Sequence, residues 1–284
     1  MLPTRRLASL LSSGTLLAGL AFAGSTVLAP ASQASGTCVK GSLSLHSAGQ
    51  LNVATDSPAY PPYFENNKPS NGKGFESAVA YAVAAKLGFG RSQVKWTVEP
   101  FDDSYAPGPK AFDFDINEIS ITASRAKAVD FSSPYYTNPQ AIVVAAGSKY
   151  AHLASLASLR GAKIGVQVGT TSLQAVNRVI HPTQQVQIFN TSNDVVMALR
   201  EHLVDAIVVD LATGFDLVQT EIPHGSIAGQ FSAPGGDNWG LLLAKGSKLT
   251  PCVNKALAQL RSSGTLKAIT ARWTQSGASV PVLH

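Results

Sequence analysis

An α/β fold built on mainly parallel sheets is the class this sequence predicts, and three observations carry it. From residue 50 onward, short β-branched runs alternate with amphipathic stretches. One such run, residues 163–168, passes through Gly169 straight into a helical pattern from Ser172. About 250 residues follow a leader-like N-terminus, enough for a buried core and for two lobes.

Taken in order, Leu51–Thr55 reads as the first strand. Phe75, Ala78, Val79, Ala82, Val83 and Leu87 then recur at helical spacing, and Gly88 ends that helix. Residues 104–110 (SYAPGPK) form a Pro/Gly loop. Residues 112–122 and 141–145 read as strands, as do 163–168, 186–189 and 205–209. Thr191 or Ser192 caps a helix carrying Val195, Val196 and Leu199. Residues 232–238 (SAPGGDN) are a second loop before a strand at 239–243. Helices at 249–260 and 266–273 close the pattern, the first with Thr250 as N-cap and Pro251 at its first position. There is no internal repeat.

Residues 1–34 read as a secretory signal peptide. Arg5 and Arg6 supply the basic start and residues 16–23 a short apolar run. Small residues at Ala29, Ala31, Ser32 and Ala34 offer cleavage near Ala34. Either general secretory or twin-arginine export suits this start. No later segment is apolar for long enough to cross a bilayer, so a soluble mature protein is expected. Lys plus Arg number 22 against 17 acids, a net charge of +5. Without Arg5 and Arg6 the balance is 20 to 17, or +3, and the basic residues are scattered. That disfavours a nucleic-acid partner. The two cysteines, Cys38 and Cys252, favour a disulfide in an oxidising compartment, with two free thiols as the alternative. Ser35 and Thr37 fit a lipidation motif at Cys38 poorly. His152, His181, His202 and His224 lack ligand spacing, so no metal is expected. No phosphate-binding loop, nucleophile elbow or catalytic triad is present, so neither cofactor nor enzymatic activity is expected.

The candidate site residues lie where strands end. Arg125 follows an apolar, β-prone stretch and presents a rigid fork of donors suited to a carboxylate; an ion pair with Asp130 is the alternative. Gly169-Thr170-Thr171, between a strand and a helix, offers backbone N–H groups and hydroxyls to the same anion, or simply caps the helix through Thr171 or Ser172. Asp210 closes an apolar strand, where a carboxylate suits an ammonium group or caps the next helix. Tyr60, Tyr63 and Phe101 are candidate pocket walls. Asp56, Asn117 and Glu118 would tune side-chain choice. Asn117 and Glu118 are adjacent, so on a regular strand only one faces the cleft.

Several blocks together resemble the extracytoplasmic solute-binding proteins of ABC importers, polar amino-acid (family 3) type. In order they are Val53-Ala54-Thr55-Asp56, Tyr60-Pro61-Pro62-Tyr63, Gly74-Phe75-Glu76, and the stretch from Ser120 through Arg125 to Tyr136. Gly165 to Thr171, Val204 to Asp210, Gly264-Thr265-Leu266 and Trp273 complete the series. The resemblance implies a two-lobed periplasmic-binding-protein-like fold, each lobe a mainly parallel sheet flanked by helices, with a two-strand hinge. It places the first lobe at 38–139 and 236–284 and the second at 140–235. It implies that Arg125 binds an α-carboxylate and that Asp210 binds the α-ammonium, with the Ser120 hydroxyl as a second acceptor. It further implies a monomer that binds a polar or cationic amino acid between the lobes and delivers it to an ABC permease. An enzyme on the same scaffold, of cyclohexadienyl dehydratase type, and a ligand-sensing module are the alternatives.

Overall fold

The computed structural model describes residues 38–274 and 279–284. The expected signal peptide and its cleavage near Ala34 lie outside the described residues.

Two five-stranded sheets organise the chain. The first has the order β2-β1-β3-β12-β4, with β1 (Leu51–Thr55), β2 (Val94–Val98), β3 (Phe114–Asp115), β4 (Val129–Phe131) and β12 (Leu242–Ala244). β1 is parallel to β2 and β3, and β12 is antiparallel to β3 and β4. The second sheet has the order β10-β6-β9-β7-β8, with β6 (Gln140–Val144), β7 (Ile164–Gln167), β8 (Gln187–Phe189), β9 (Ala206–Asp210) and β10 (Ser226–Phe231). Here β7 is parallel to β8 and β9, while β6 runs antiparallel to β9 and β10. The chain passes from the first sheet to the second through β5 (Tyr136–Asn138) and returns through β11 (Asp237–Trp239). These two pair antiparallel as a separate ribbon. The architecture is thus the two-lobed α/β one the sequence predicts, with a two-strand hinge.

Eight helices flank the sheets among the described residues: α1 (Phe75–Lys86), α2 (Phe101–Ser104), α3 (Arg125–Ala128), α4 (Thr171–Ala175), α5 (Ser192–Arg200), α6 (Leu211–Thr220), α7 (Thr250–Ser262) and α8 (Thr265–Trp273). The apolar run of β6 shows why its sequence does not alternate. Ile142 and Val144 face a core shared with Ile164, Val166 and Ile180. Ala141 and Val143 face the opposite core, with Val195, Leu199 and Ile207. A strand covered on both faces needs apolar residues at every position. In the first lobe, Val53 packs with Val79 and Val83 of α1 and Val253 and Leu257 of α7. Gly74 precedes α1 at φ +97, and a Cβ there would lie 2.3 Å from the Tyr63 carbonyl oxygen, so the close approach requires glycine.

Four local expectations differ from the structure. The strand expected at 112–122 pairs only at Phe114–Asp115, with a further isolated bridge from Ser120 to Trp239. Glu118 stands at φ +49, and its N–H goes to Glu76 Oε1 instead of a neighbouring strand. Arg125 consequently opens a short helix and does not end a strand. The strand expected at 239–243 divides, because Trp239 closes the hinge ribbon and Leu242 joins the first sheet. Gly240 at the step donates its N–H to Ile119. The N-cap of α7 is Leu249, one residue earlier than expected, and the Thr250 hydroxyl makes no hydrogen bond. Thr191 does cap α5, in a reciprocal box with Asp194. The strands β2, β4 and β10 and the short helix α2 are not among the elements expected from sequence. Residues 279–284, assigned with the first lobe from sequence, pack instead on the second sheet. Gln230 exchanges backbone bonds with Pro281 and Leu283, and Leu283 enters the core there.

Cys38 and Cys252 form a disulfide that joins the start of the described chain to α7. The bridge closes a separation of 214 residues, for which loop entropy gives an upper figure of about 5 kcal/mol. Neither cysteine lines the inter-lobe cavity. Reduction should therefore lower the melting temperature while leaving ligand affinity nearly unchanged. Scanning calorimetry and titration of the oxidised and reduced protein check this. A large loss of affinity on reduction would contradict it.

Candidate functional site

The two lobes meet around a cavity of about 340 Å³. All ten residues predicted from sequence as ligand-binding line it: Asp56, Tyr60, Phe101, Asn117, Glu118, Ser120, Arg125, Thr170, Thr171 and Asp210. Among the contacts that cross between the lobes are three made by cavity-lining side chains. Arg125 Nη2 donates to the Gly169 carbonyl at 3.1 Å, Ser120 Oγ lies 3.2 Å from Thr171 Oγ1, and Tyr63 Oη lies 3.0 Å from Thr213 Oγ1.

Arg125 is 8% exposed. Nη1 donates to the Ser120 carbonyl at 3.0 Å. Its guanidinium lies 4.3 Å from the Tyr105 ring centre and 5.2 Å from that of Phe101. The alternative pairing with Asp130 does not form. Asp130 pairs instead with Lys245 Nζ at 3.2 Å and accepts the Gly246 N–H. Burial pulls the Arg125 pKa down, but arginine stays charged. Two carbonyls engage only part of its five-donor fork, and a carboxylate can take the rest.

Facing Arg125, Gly169 sits at φ +74. That left-handed φ favours glycine, and a Cβ there would also lie 2.9 Å from Asp102 Oδ1 and 3.1 Å from Tyr105 Oη. The capping role expected of Thr171 or Ser172 belongs to Thr170, which accepts the Leu173 N–H at 3.4 Å. Thr171 Oγ1 donates to Asp237 Oδ2 at 3.3 Å.

Asp210 occupies the N-cap position of α6, yet its side chain makes no cap bond. Oδ1 instead accepts from Asn138 Nδ2 at 2.5 Å and Gln140 Nε2 at 3.1 Å. Burial, then the neighbouring Asp237, pushes Asp210 up to about 8.

Asn117 and Glu118 both border the cavity, against the strict alternation expected of a strand. The left-handed turn at Glu118 removes the alternation. Its anchor is Glu76, fully buried, which accepts the Glu118 N–H at 2.7 Å and the Tyr135 hydroxyl. Burial raises Glu76 to about 7. Burial and the charge of Glu76 keep Glu118 well above the usual carboxyl range. Asp56 Oδ1 accepts the Ser57 N–H at 2.6 Å, and burial raises its pKa. Burial and the charges of Asp56 and Glu221 raise Tyr60. Tyr63 is mostly core, with its ring edge-on to Trp239 at 5.5 Å, and only its hydroxyl reaches across to Thr213.

Sequence reading missed Asn138, Gln140, Thr213 and Asp237. Gln140 was findable, as the one polar residue at the head of an otherwise apolar strand. Nothing marks Asp237 inside a Gly/Pro loop.

Comparison with known proteins is consistent along the chain. The family model for bacterial extracellular solute-binding proteins, family 3, matches residues 51–276. The L-cystine-binding protein TcyJ of Escherichia coli (strain K12) is 29% identical over 219 residues, 75% of this chain and 79% of that one. An ancestral arginine-binding protein, solved bound to arginine, superimposes with a TM-score of 0.64 at 34% identity, covering 79% of this chain and 98% of that one. An ancestral amino acid-binding protein described as a precursor of cyclohexadienyl dehydratase gives a TM-score of 0.65 at 27% identity, covering 80% of this chain and 95% of that one.

The raised carboxyls set a pH dependence. Glu76 at about 7 and Asp210 at about 8 hold protons in the folded state that the unfolded chain releases near pH ~4. Stability should therefore fall as pH rises from about 5 to about 8.5. Urea denaturation of the ligand-free protein across that range measures the slope, which Glu76→Gln should flatten. Stability that rises across the window would contradict the assignment.

Proposed function

Because the chain belongs to the bacterial extracellular solute-binding proteins of family 3, we propose that its cavity captures a polar or cationic α-amino acid for delivery to an ABC permease. The observation that carries this reading is the pairing of opposite anchors. Arg125 of the first lobe lines the cavity with donors left over, and Asp210 of the second lines it as a carboxyl, which suits an ammonium. A ligand that touches both lobes stabilises their closed arrangement, in proportion to its extra affinity for it. The transmembrane subunits would then recognise the closed form of an exported, monomeric protein. The lobes divide near 139/140 and 235/236, with residues 279–284 in the second.

Charge favours a cationic side chain. Asp56, Asp102, Glu118, Asp210, Asp216 and Glu221 line the cavity, against Arg125 as the one basic residue there among the described residues. A wall lined with acids disfavours apolar side chains and welcomes a counter-charge. The arginine ligand of the similar ancestral protein agrees with this chemistry.

Glu118 supports one competing reading. A carboxyl kept protonated beside the cavity is what a general acid requires, and one similar protein is described as the precursor of a dehydratase. A partner base would also be needed, and the other acids on the wall fit equally well as cation ligands. We therefore read the protein as non-catalytic. Mass spectrometry of a bound ligand recovered unchanged after long incubation separates the two.

A thermal-shift panel should show arginine, lysine, histidine or glutamine stabilising the protein more than leucine or valine. Arg125→Lys replaces a bidentate fork with a point charge and should lose roughly 2–5 kcal/mol of binding, read by titration calorimetry. Unchanged affinity in the folded variant would refute the carboxylate clamp.

A further inference from the structure

Asp237 is a close neighbour of Asp210. It is 3% exposed and does not line the cavity. It stands in the hinge ribbon, paired with Asn138 across the two strands. Its Oδ2 accepts from Asn138 Nδ2 at 3.2 Å, Gln140 Nε2 at 3.1 Å and Thr171 Oγ1 at 3.3 Å. The same two amide nitrogens donate to Asp210 Oδ1. Each amide carries two N–H groups, so each can serve both carboxylates at once. The Gln140 carbonyl is fixed in turn by the Ser172 hydroxyl at 2.5 Å, which settles which end of that amide faces the acids. Asp237 Oδ1 is buried without a hydrogen-bond partner. Neither acid takes part in an ion pair among the described residues.

We propose that Asp237 is a positioning residue for the ligand amine. Through the Asn138 and Gln140 amides it holds Asp210 Oδ1 against the hinge, leaving Oδ2 to the cavity, and its charge makes the pair receptive to an ammonium. The inference rests on the reading of the cavity as an amino-acid site. Two carboxylates tied to the same donors, in a buried place with no ion-pair partner among the described residues, are costly unless a proton or a ligand supplies positive charge close by. In the free protein the proton does so, because Asp210 sits at about 8. An arriving ammonium displaces that proton. The ligand then couples to the hinge itself, since its counter-charge acts on a β11 side chain and not only on residues of the cavity wall.

Other groups act on the pair. Glu76 of α1, Glu118 in the loop after β3, Tyr63 in the loop after β1 and Tyr136 of β5 face Asp210, and Arg125 of α3 acts on Asp237. Glu76 titrates in the same range. Its share stays in an Asp237 variant, so the difference between the two proteins reports Asp237.

The test titrates L-arginine into the parent protein and Asp237→Asn at about pH 6, 7, 8 and 9. Parent affinity should rise with pH, by up to about tenfold per unit below pH ~8, the limit for release of one proton. In the variant, Asp210 ionises at lower pH, so the profile should flatten, and affinity at pH ~9 should be about tenfold weaker. Superimposable profiles and affinities would overturn the proposal. Should the variant fail to fold, calorimetry of the parent near pH ~7 in two buffers of different ionisation enthalpy decides instead. Release of a substantial fraction of a proton supports the proposal, and no release or an uptake overturns it. A parent protein that takes up none of L-arginine, L-lysine, L-histidine or L-glutamine defeats the reading of the site, and the inference falls with it.

Discussion

The structure depends on holding one guanidinium out of water. Arg125 is almost wholly buried, lies against the Tyr105 and Phe101 rings, and is tied to the Ser120 and Gly169 carbonyls. Carbonyls and ring faces lower the cost of burying the charge but do not neutralise it. One of those carbonyls belongs to each lobe, so the same charge that seeks an anion also draws the lobes together. An anionic group arriving beside Arg125 completes the neutralisation and strengthens the bridge.

The opposite end of the cavity has the complementary problem. Asp210 and Asp237 share the amides of Asn138 and Gln140, and Glu118 leans on Glu76. Burial, then neighbouring carboxylates, pushes Asp210 and Glu118 toward their neutral forms, and burial does the same to Glu76. A dipolar ligand with a carboxylate at one end and ammonium groups at the other answers both deficits. Electrostatic complementarity of this kind selects a class of ligand more sharply than it sets affinity.

Much of this was legible in the sequence because strand ends announce themselves. Thr171 follows β7 and Asp210 closes β9, and all ten predicted residues reach one cavity. What failed was regularity. Residues 112–122 read as strand, yet pairing stops at Asp115 and Glu118 adopts a left-handed conformation because a buried Glu76, 42 positions earlier, takes its N–H. No local pattern encodes a contact so distant. Asp237 escaped for a related reason. Its loop composition signals a turn, while its role comes from pairing with Asn138 across 99 residues. The division of 239–243 between ribbon and sheet likewise follows from where the hinge returns, which periodicity does not record.

The central claim is that one ligand is held by its carboxylate on Arg125 and its α-ammonium on Asp210. Calorimetric titration of L-arginine beside agmatine, the same molecule without its carboxylate, tests it most directly. The account predicts binding of arginine and loss of most affinity for agmatine. Equal affinity for the two would show that Arg125 clamps nothing, and would contradict the account.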